Sequence, residues 1–152
     1  MRQFEILKLT RQYLLNDIKD LTVEQLNEKP AGFNNNIIWN LAHMLATQQG
    51  ICYARAGIKL VIDQDFFDAY KPGTKPEKFV DADEIAAIKV MFIAMIDQLE
   101  IDYHNNAFVN FTPFTNRYGF EHRHIDDSIN FVLYHEGLHF GIINAMMKLV
   151  KK

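Results

Sequence analysis

The stretch Phe131-Val132-Leu133-Tyr134-His135-Glu136-Gly137-Leu138-His139-Phe140-Gly141-Ile142-Ile143 repeats apolar residues at three- and four-residue spacing and holds no proline. That period belongs to an α-helix with one buried side. The pattern starts near Asp126 and runs almost to the C-terminus. Phe131, Val132, Leu138, Ile142 and Met146 share the sector of His135 and His139, with Asp126, Asn130, Asn144 and Lys148 opposite. The last segment is therefore a long amphipathic helix whose two histidines face inward.

Three more segments share this periodicity. Residues 2–19 place Phe4, Leu7, Leu14 and Ile18 on one face, and Thr22 and Gln25 stand at capping-box spacing for a short turn. Asn34-Asn35-Asn36 offers an N-cap for a helix over 37–56, apolar almost all round and closed by Gly57, which predicts a central helix. Asp81 and Glu84 open a third, with Ile85, Ile88, Phe92 and Leu99 inward. Two long connections, 58–80 with Pro72-Gly73 and Pro76, and 102–125 with Thr112-Pro113 and Tyr118-Gly119, separate the helices. No period-two run predicts a strand. Four helices of about 18 to 25 residues, or about 27 to 37 Å each, predict an all-α four-helix bundle, with residues 1–152 as a single domain.

Composition narrows the function. The chain has 152 residues, 49% of them hydrophobic, which suffices for a core without disulfides or a structural metal. Sixteen Lys and Arg against nineteen Asp and Glu give a net charge of −3, contrary to the basic footprint that nucleic acid requires. The only cysteine is Cys52, in an apolar stretch, so a reducing, cytoplasmic location is expected and an inert core thiol with it. The N-terminal residues mix charge into their apolar pattern, and the longest apolar run is Val90 to Ile96. Neither a signal peptide nor a membrane span is expected.

The chemistry lies in His135-Glu136-Gly137-Leu138-His139. Two imidazoles at i and i+4 occupy one helical face, the spacing that grips a single metal ion. One buried histidine is commonly a hydrogen-bonded core residue, whereas two stacked in an apolar stripe are hard to satisfy without a shared partner. The pattern is also the H-E-x-x-H of zinc peptidases, which would make Glu136 a general base. Residues 140–152, however, contain no His, Asp or Glu to serve as the downstream ligand. The third ligand is expected earlier, and His43 is the candidate: it shares a face of small residues with Asn36, Ala46, Thr47, Gly50 and Ala54, with Trp39 at the edge. Three neutral imidazoles from two helices would leave a coordination position open, as catalytic sites do.

The N-x-x-W-x-x-x-H block at Asn36, Trp39 and His43, the H-E-x-x-H-x-G block from His135 to Gly141, and four helices over the whole chain resemble the DinB-like superfamily of metal-binding four-helix bundles. The resemblance implies metal ligands at His43, His135 and His139 and an up-down-down-up helix order. It also implies a metal-dependent transferase or isomerase acting with a low-molecular-weight thiol such as bacillithiol, mycothiol or glutathione. Ile142 stands where the family commonly has Gln. Zinc is the first expected metal and nickel the second. A metal-dependent hydrolase at the same centre, or a non-enzymatic metal-binding or stress-response protein, are the alternatives.

Four further expectations follow. Glu136 lies on the wheel among Ile129, Val132, Phe140 and Ile143, so its carboxylate needs a partner; the N–H of a metal-bound His or a polar group beside the open position is expected, which would make it an orienter or proton acceptor. His104, His122 and His124 are read as exposed polar residues. The aromatic residues of the two connections, Phe66, Phe67 and Tyr70 with Phe108, Phe111, Phe114 and Tyr118, either cover the site's mouth or pack the loops. Finally, a homodimer is expected, because the helix over 37–56 is apolar beyond what one interface covers and Gly137 and Gly141 form a flat strip.

Overall fold

The computed structural model describes residues 1–151 and is mostly helical. Its elements are α1 (Arg2–Asp17), α2 (Val23–Asn27), α3 (Ile37–Gln48), α4 (Gln64–Tyr70), α5 (Ala82–His104), a hairpin of β1 (Phe114–Thr115) and β2 (Glu121–His122), and α6 (Ile125–Val150). The expected caps form. Thr22 and Gln25 make the capping box of α2, Asn36 accepts from the Trp39 N–H, and Asp81 accepts from the Glu84 N–H. The helix predicted over 37–56 does not stay α-helical. After Gln48 it continues as one π turn, Gln49–Tyr53, and a 3-10 turn, Ala54–Ala56, before Gly57 (φ 68°) ends it.

Side-chain pairs fix the helix directions. Along α1, Phe4 meets Tyr103, Lys8 meets Glu100 and Asp97, and Arg11 reaches the Phe92 carbonyl, so α1 and α5 are antiparallel. Gln3 bonds Asn130 at one end, while Gln25, just beyond α1, bonds the Val150 carbonyl at the other; α1 and α6 are parallel. Asn40 meets Met146 and His139 while His43 meets His135, which makes α3 antiparallel to α6. Gln48 to Met95 and Tyr53 to Asp102 make α3 parallel to α5. The order is up-down-down-up. Two consecutive parallel helices need a connection that runs back along the bundle, and residues 57–81 supply it. Asn27 clamps its far end with reciprocal bonds to the backbone of Val80.

All twelve residues of α3 are buried. At roughly 1.5–3 kcal/mol for each large apolar side chain taken from water, this helix is the centre of the core. The crossover and α4 pack on the part of α3 that the other helices leave. The interior falls into two apolar clusters, one around Leu14, Ile38, Leu41 and Met146, the other around Phe4, Cys52, Leu99 and Ile129. A polar layer of Arg11, Gln48 and Glu136 lies where they meet.

Two elements differ from expectation within the connections. The crossover contains α4, capped by Asp63, and the second connection contains the hairpin, paired Phe114 to His122 and Thr115 to Glu121. Strands this short carry no readable alternation. Among the described residues, no helix is long and apolar enough to cross a membrane.

Candidate metal centre

His43 on α3 and His135 and His139 on α6 come together. One ring nitrogen from each lies within 4.8 Å of the others, and the ring centroids are 4.4 to 5.2 Å apart. Antiparallel packing explains why: the α6 face one turn long, His135 to His139, passes across the α3 turn from Asn40 to His43. His43 is buried, whereas the other two are half-buried, so the cluster opens on the α6 side.

Hydrogen bonds assign the ring protons. The Tyr70 carbonyl, 2.7 Å from His43 Nδ1, can only accept, so Nδ1 carries the hydrogen and Nε2 keeps its lone pair. The Thr47 hydroxyl lies 3.3 Å from that Nε2. Asn40 commits its Nδ2 hydrogens to the Asn36 carbonyl and Asn35 Oδ1, leaving Oδ1 to accept from His139 Nδ1 at 2.7 Å. His139 Nε2 thereby keeps its lone pair and accepts from His135 Nε2 at 3.1 Å, a proton that a bound metal ion would replace. Trp39 stacks on His43 at 4.6 Å with planes 9° apart, fixing the ring plane. Fixing tautomer and orientation through the second nitrogen is how proteins prepare histidines for a metal.

Electrostatics favours neutral rings. Burial is the main cause that lowers the proton affinity of all three, with the Arg117 guanidinium adding to it; neighbouring imidazoles add further at His135 and His139, which come down to about 2 and about 4, while the Tyr70 contact partly offsets the effect at His43. Neutral imidazoles with converging ring nitrogens are the donor set that fits a metal ion, and these three can hold one.

A family model described as the DinB superfamily matches residues 6–143, which include all three histidines. The chain belongs to the DinB superfamily. No curated protein matches it.

Glu136 does not have the expected partner. Its carboxylate is held by Arg11, through both Nε and Nη2, with Arg11 also donating to Gln48 Oε1 and the Phe92 carbonyl. One residue past His135, the side chain turns to the α1 side of α6, where it meets a guanidinium that is 1% exposed. A carboxylate so engaged is a core ion-pair member, and the peptidase-like general base loses its geometric footing. Arg11 is the residue that a count of apolar positions passes over, although it sits at the spacing of Phe4, Leu7, Leu14 and Ile18.

His122 is the second correction. It is fully buried, stacked on Phe114 at 4.2 Å, donating from Nδ1 to Ser128 Oγ and accepting from Asn116 Nδ2 at Nε2. Pairing in β2 turns it inward. His104 and His124 are exposed, the latter as the N-cap of α6. Cys52 is buried, and burial drives its thiol far above the ordinary range, which makes it unreactive. Leu138, expected in the buried sector, is 41% exposed. The crossover aromatics pack as well as line: Phe67 lies against Gly50, where an added Cβ would come within 3.3 Å of its ring, and Tyr70 serves His43 through its backbone.

Proposed function

We propose that this DinB-superfamily chain is a cytoplasmic metal-dependent S-transferase, joining a low-molecular-weight thiol of the bacillithiol, mycothiol or glutathione kind to a small electrophile, with zinc as the first choice of ion and nickel the second. One observation carries the reading: three imidazoles on two facing helices bring one ring nitrogen each to one place from one side, leaving the solvent side for a further ligand. A divalent ion held there supplies Lewis acidity that deprotonates a coordinated thiol. In the net reaction a sulfur–carbon bond forms, the leaving group departs with its electron pair, and the thiol proton passes to solvent.

The chain's own part is orientation. Tyr70 and Asn40 hold His43 and His139 in one tautomer, and the rings of Trp39 and Phe131 lie against His43 and His135. The buried, single Cys52 is consistent with a reducing compartment and leaves the nucleophilic sulfur to come from a small molecule. The test is a panel of small thiols with alkyl halides and epoxides, run on zinc- and nickel-loaded protein. Thiol-dependent loss of the electrophile, abolished by chelation and by His135→Ala, is expected. Turnover of esters or amides without thiol would favour a metal-dependent hydrolase, and no turnover of either kind a binding or stress-response role.

A further inference from the structure

Among the described residues, the hydrogen bonds at the three rings run to the Tyr70 carbonyl, to Asn40 Oδ1, to the Thr47 hydroxyl and between His135 and His139. The Tyr70 and Asn40 oxygens are acceptors, and they engage Nδ1 atoms. Thr47 is different. Its hydroxyl lies 3.3 Å from His43 Nε2, the nitrogen left for a metal ion once Nδ1 is bonded to Tyr70. A helical threonine ordinarily returns its hydroxyl to a carbonyl three or four residues back. Thr10 on α1 does so, bonding the Ile6 and Leu7 carbonyls at 2.9 and 3.1 Å. Thr47 instead turns its hydroxyl to the His43 ring, from a position only 6% exposed.

With Nδ1 protonated, Nε2 accepts and Thr47 donates. A metal ion on Nε2 takes the lone pair that Thr47 uses. The hydroxyl then holds a buried hydrogen without an acceptor, which is costly unless the incoming ligand supplies one. The helix register shows what stands nearby. Asn40 faces His139 and His43 faces His135, so the next turn of the antiparallel pair brings Thr47 level with Phe131, whose ring lies 6.3 Å from His135. The end of the cluster away from Asn40 is therefore bounded by a hydroxyl on α3 and an aromatic ring on α6. Two other groups of chemical interest are engaged elsewhere: Glu136 is bonded to Arg11, and Cys52 lies in the apolar cluster with Phe4.

We infer that Thr47 donates a hydrogen bond to the atom that fills the open coordination position, and that this bond selects an anionic atom, a thiolate sulfur in the proposed reaction, over a neutral one. The identity of that atom rests on the thiol reading; the role of Thr47 rests on the metal centre alone. Selection follows from strength, since a hydrogen bond to a charged acceptor is roughly twice as strong as one between neutral groups. The hydroxyl keeps its proton throughout, so Thr47 binds and orients without taking part in bond making.

The test uses cobalt-loaded protein and three probes: 2-mercaptoethanol, azide and imidazole. Affinities are read from the cobalt absorption bands, and thiol coordination also from the sulfur-to-cobalt charge-transfer band. Thr47→Val keeps the shape of the side chain and should weaken mercaptoethanol and azide by about tenfold, the scale of a hydrogen bond to a charged acceptor. Imidazole should bind as in wild type, because its coordinated nitrogen has no second lone pair to accept with. Thr47→Ser should restore most of the anion affinity, and Thr47→Ala should match Thr47→Val if the added methyl disturbs packing. Cobalt affinity, from chelator competition, should hold in all three variants. Its loss in Thr47→Val with recovery in Thr47→Ser would make Thr47 a metal ligand and overturn the inference. An equal loss for all three probes would make the role steric and overturn it too. If thiol gives its band and neither anion responds to Thr47→Val, the thiol reading stands and the inference falls. If azide depends on Thr47 but thiol gives no band, the inference stands and the thiol reading falls. Cobalt protein that takes neither anion overturns both.

Discussion

Glu136→Gln separates a structural carboxylate from a catalytic one. In wild type the Arg11 guanidinium is 1% exposed and bonded to Glu136, Gln48 and the Phe92 carbonyl. The substitution leaves a full buried positive charge facing neutral acceptors only. Breaking a buried pair from one side costs about 3–5 kcal/mol, and because the Gln carbonyl can still accept one guanidinium N–H, the lower end, about 3 kcal/mol, is expected. For a chain of this size that is a midpoint lower by about 6–12 °C. Arg11→Met should cost a similar amount. The apolar double variant Arg11→Met with Glu136→Leu should return to within about 1 kcal/mol of wild type, since a well-packed apolar pair commonly replaces a buried ion pair at little cost. Urea unfolding of the metal-free proteins, followed by circular dichroism, gives the stabilities, and chelator competition gives zinc affinity, which should stay within about threefold of wild type. Full stability in Glu136→Gln together with a tenfold or greater loss of zinc affinity would refute the reasoning and return Glu136 to the metal centre.

Elemental analysis of tag-free protein should find about one metal per chain at saturation, lost in His43→Ala, His135→Ala and His139→Ala and kept in His104→Ala, His122→Ala and His124→Ala. Of the last three, only His122→Ala should be destabilised, because it strands Ser128 and Asn116. Asn40→Ala should weaken metal binding by about 10- to 100-fold through His139, while Asn40→Asp, which keeps an acceptor, should restore most of it; isothermal titration reads both. The metal-free protein should lose stability as pH falls below about 6.5, because the unfolded imidazoles take up protons that the folded His135 and His139 refuse until about 4 or lower. At pH 5 each costs about 2 kcal/mol, checked by urea midpoints at pH 7 and 5. Light scattering should give twice the 17.7 kDa chain mass: Ile6 and Tyr13 on α1 are exposed on the side of Phe140, and among the described residues nothing stands within 4 Å of a Cβ added at Gly137 or Gly141.

What the sequence makes legible here follows the range of the forces involved. Helix periods and caps depend on residues three or four apart, so α1, α5, α6 and their starts could be read from the chain, as could the three histidines on their faces. The long link between α3 and α5 permitted the parallel pair, although only cross-helix contacts such as Gln48 to Met95 fix it. The hairpin could not be read, because its strands are two residues long, and the burial of His122 depends on pairing with Phe114 rather than on any local period. Ring-proton assignments were out of reach for a similar reason: the Tyr70 carbonyl comes from the crossover, 27 residues away.

Arg11 and Glu136 are a different case, since each is visible alone as a charge inside an apolar stripe. A buried charge is tolerated only with a partner of opposite sign, so two such anomalies on different helices imply each other. The positions add the register: Gln3 meets Asn130 at the start of the parallel helices α1 and α6, and Arg11 and Glu136 follow them by eight and six residues along the same seam. Taken as a pair, they assign the carboxylate of His135-Glu136-Gly137-Leu138-His139 to the interior between α1 and α6 and leave the two histidines free to face His43 on α3.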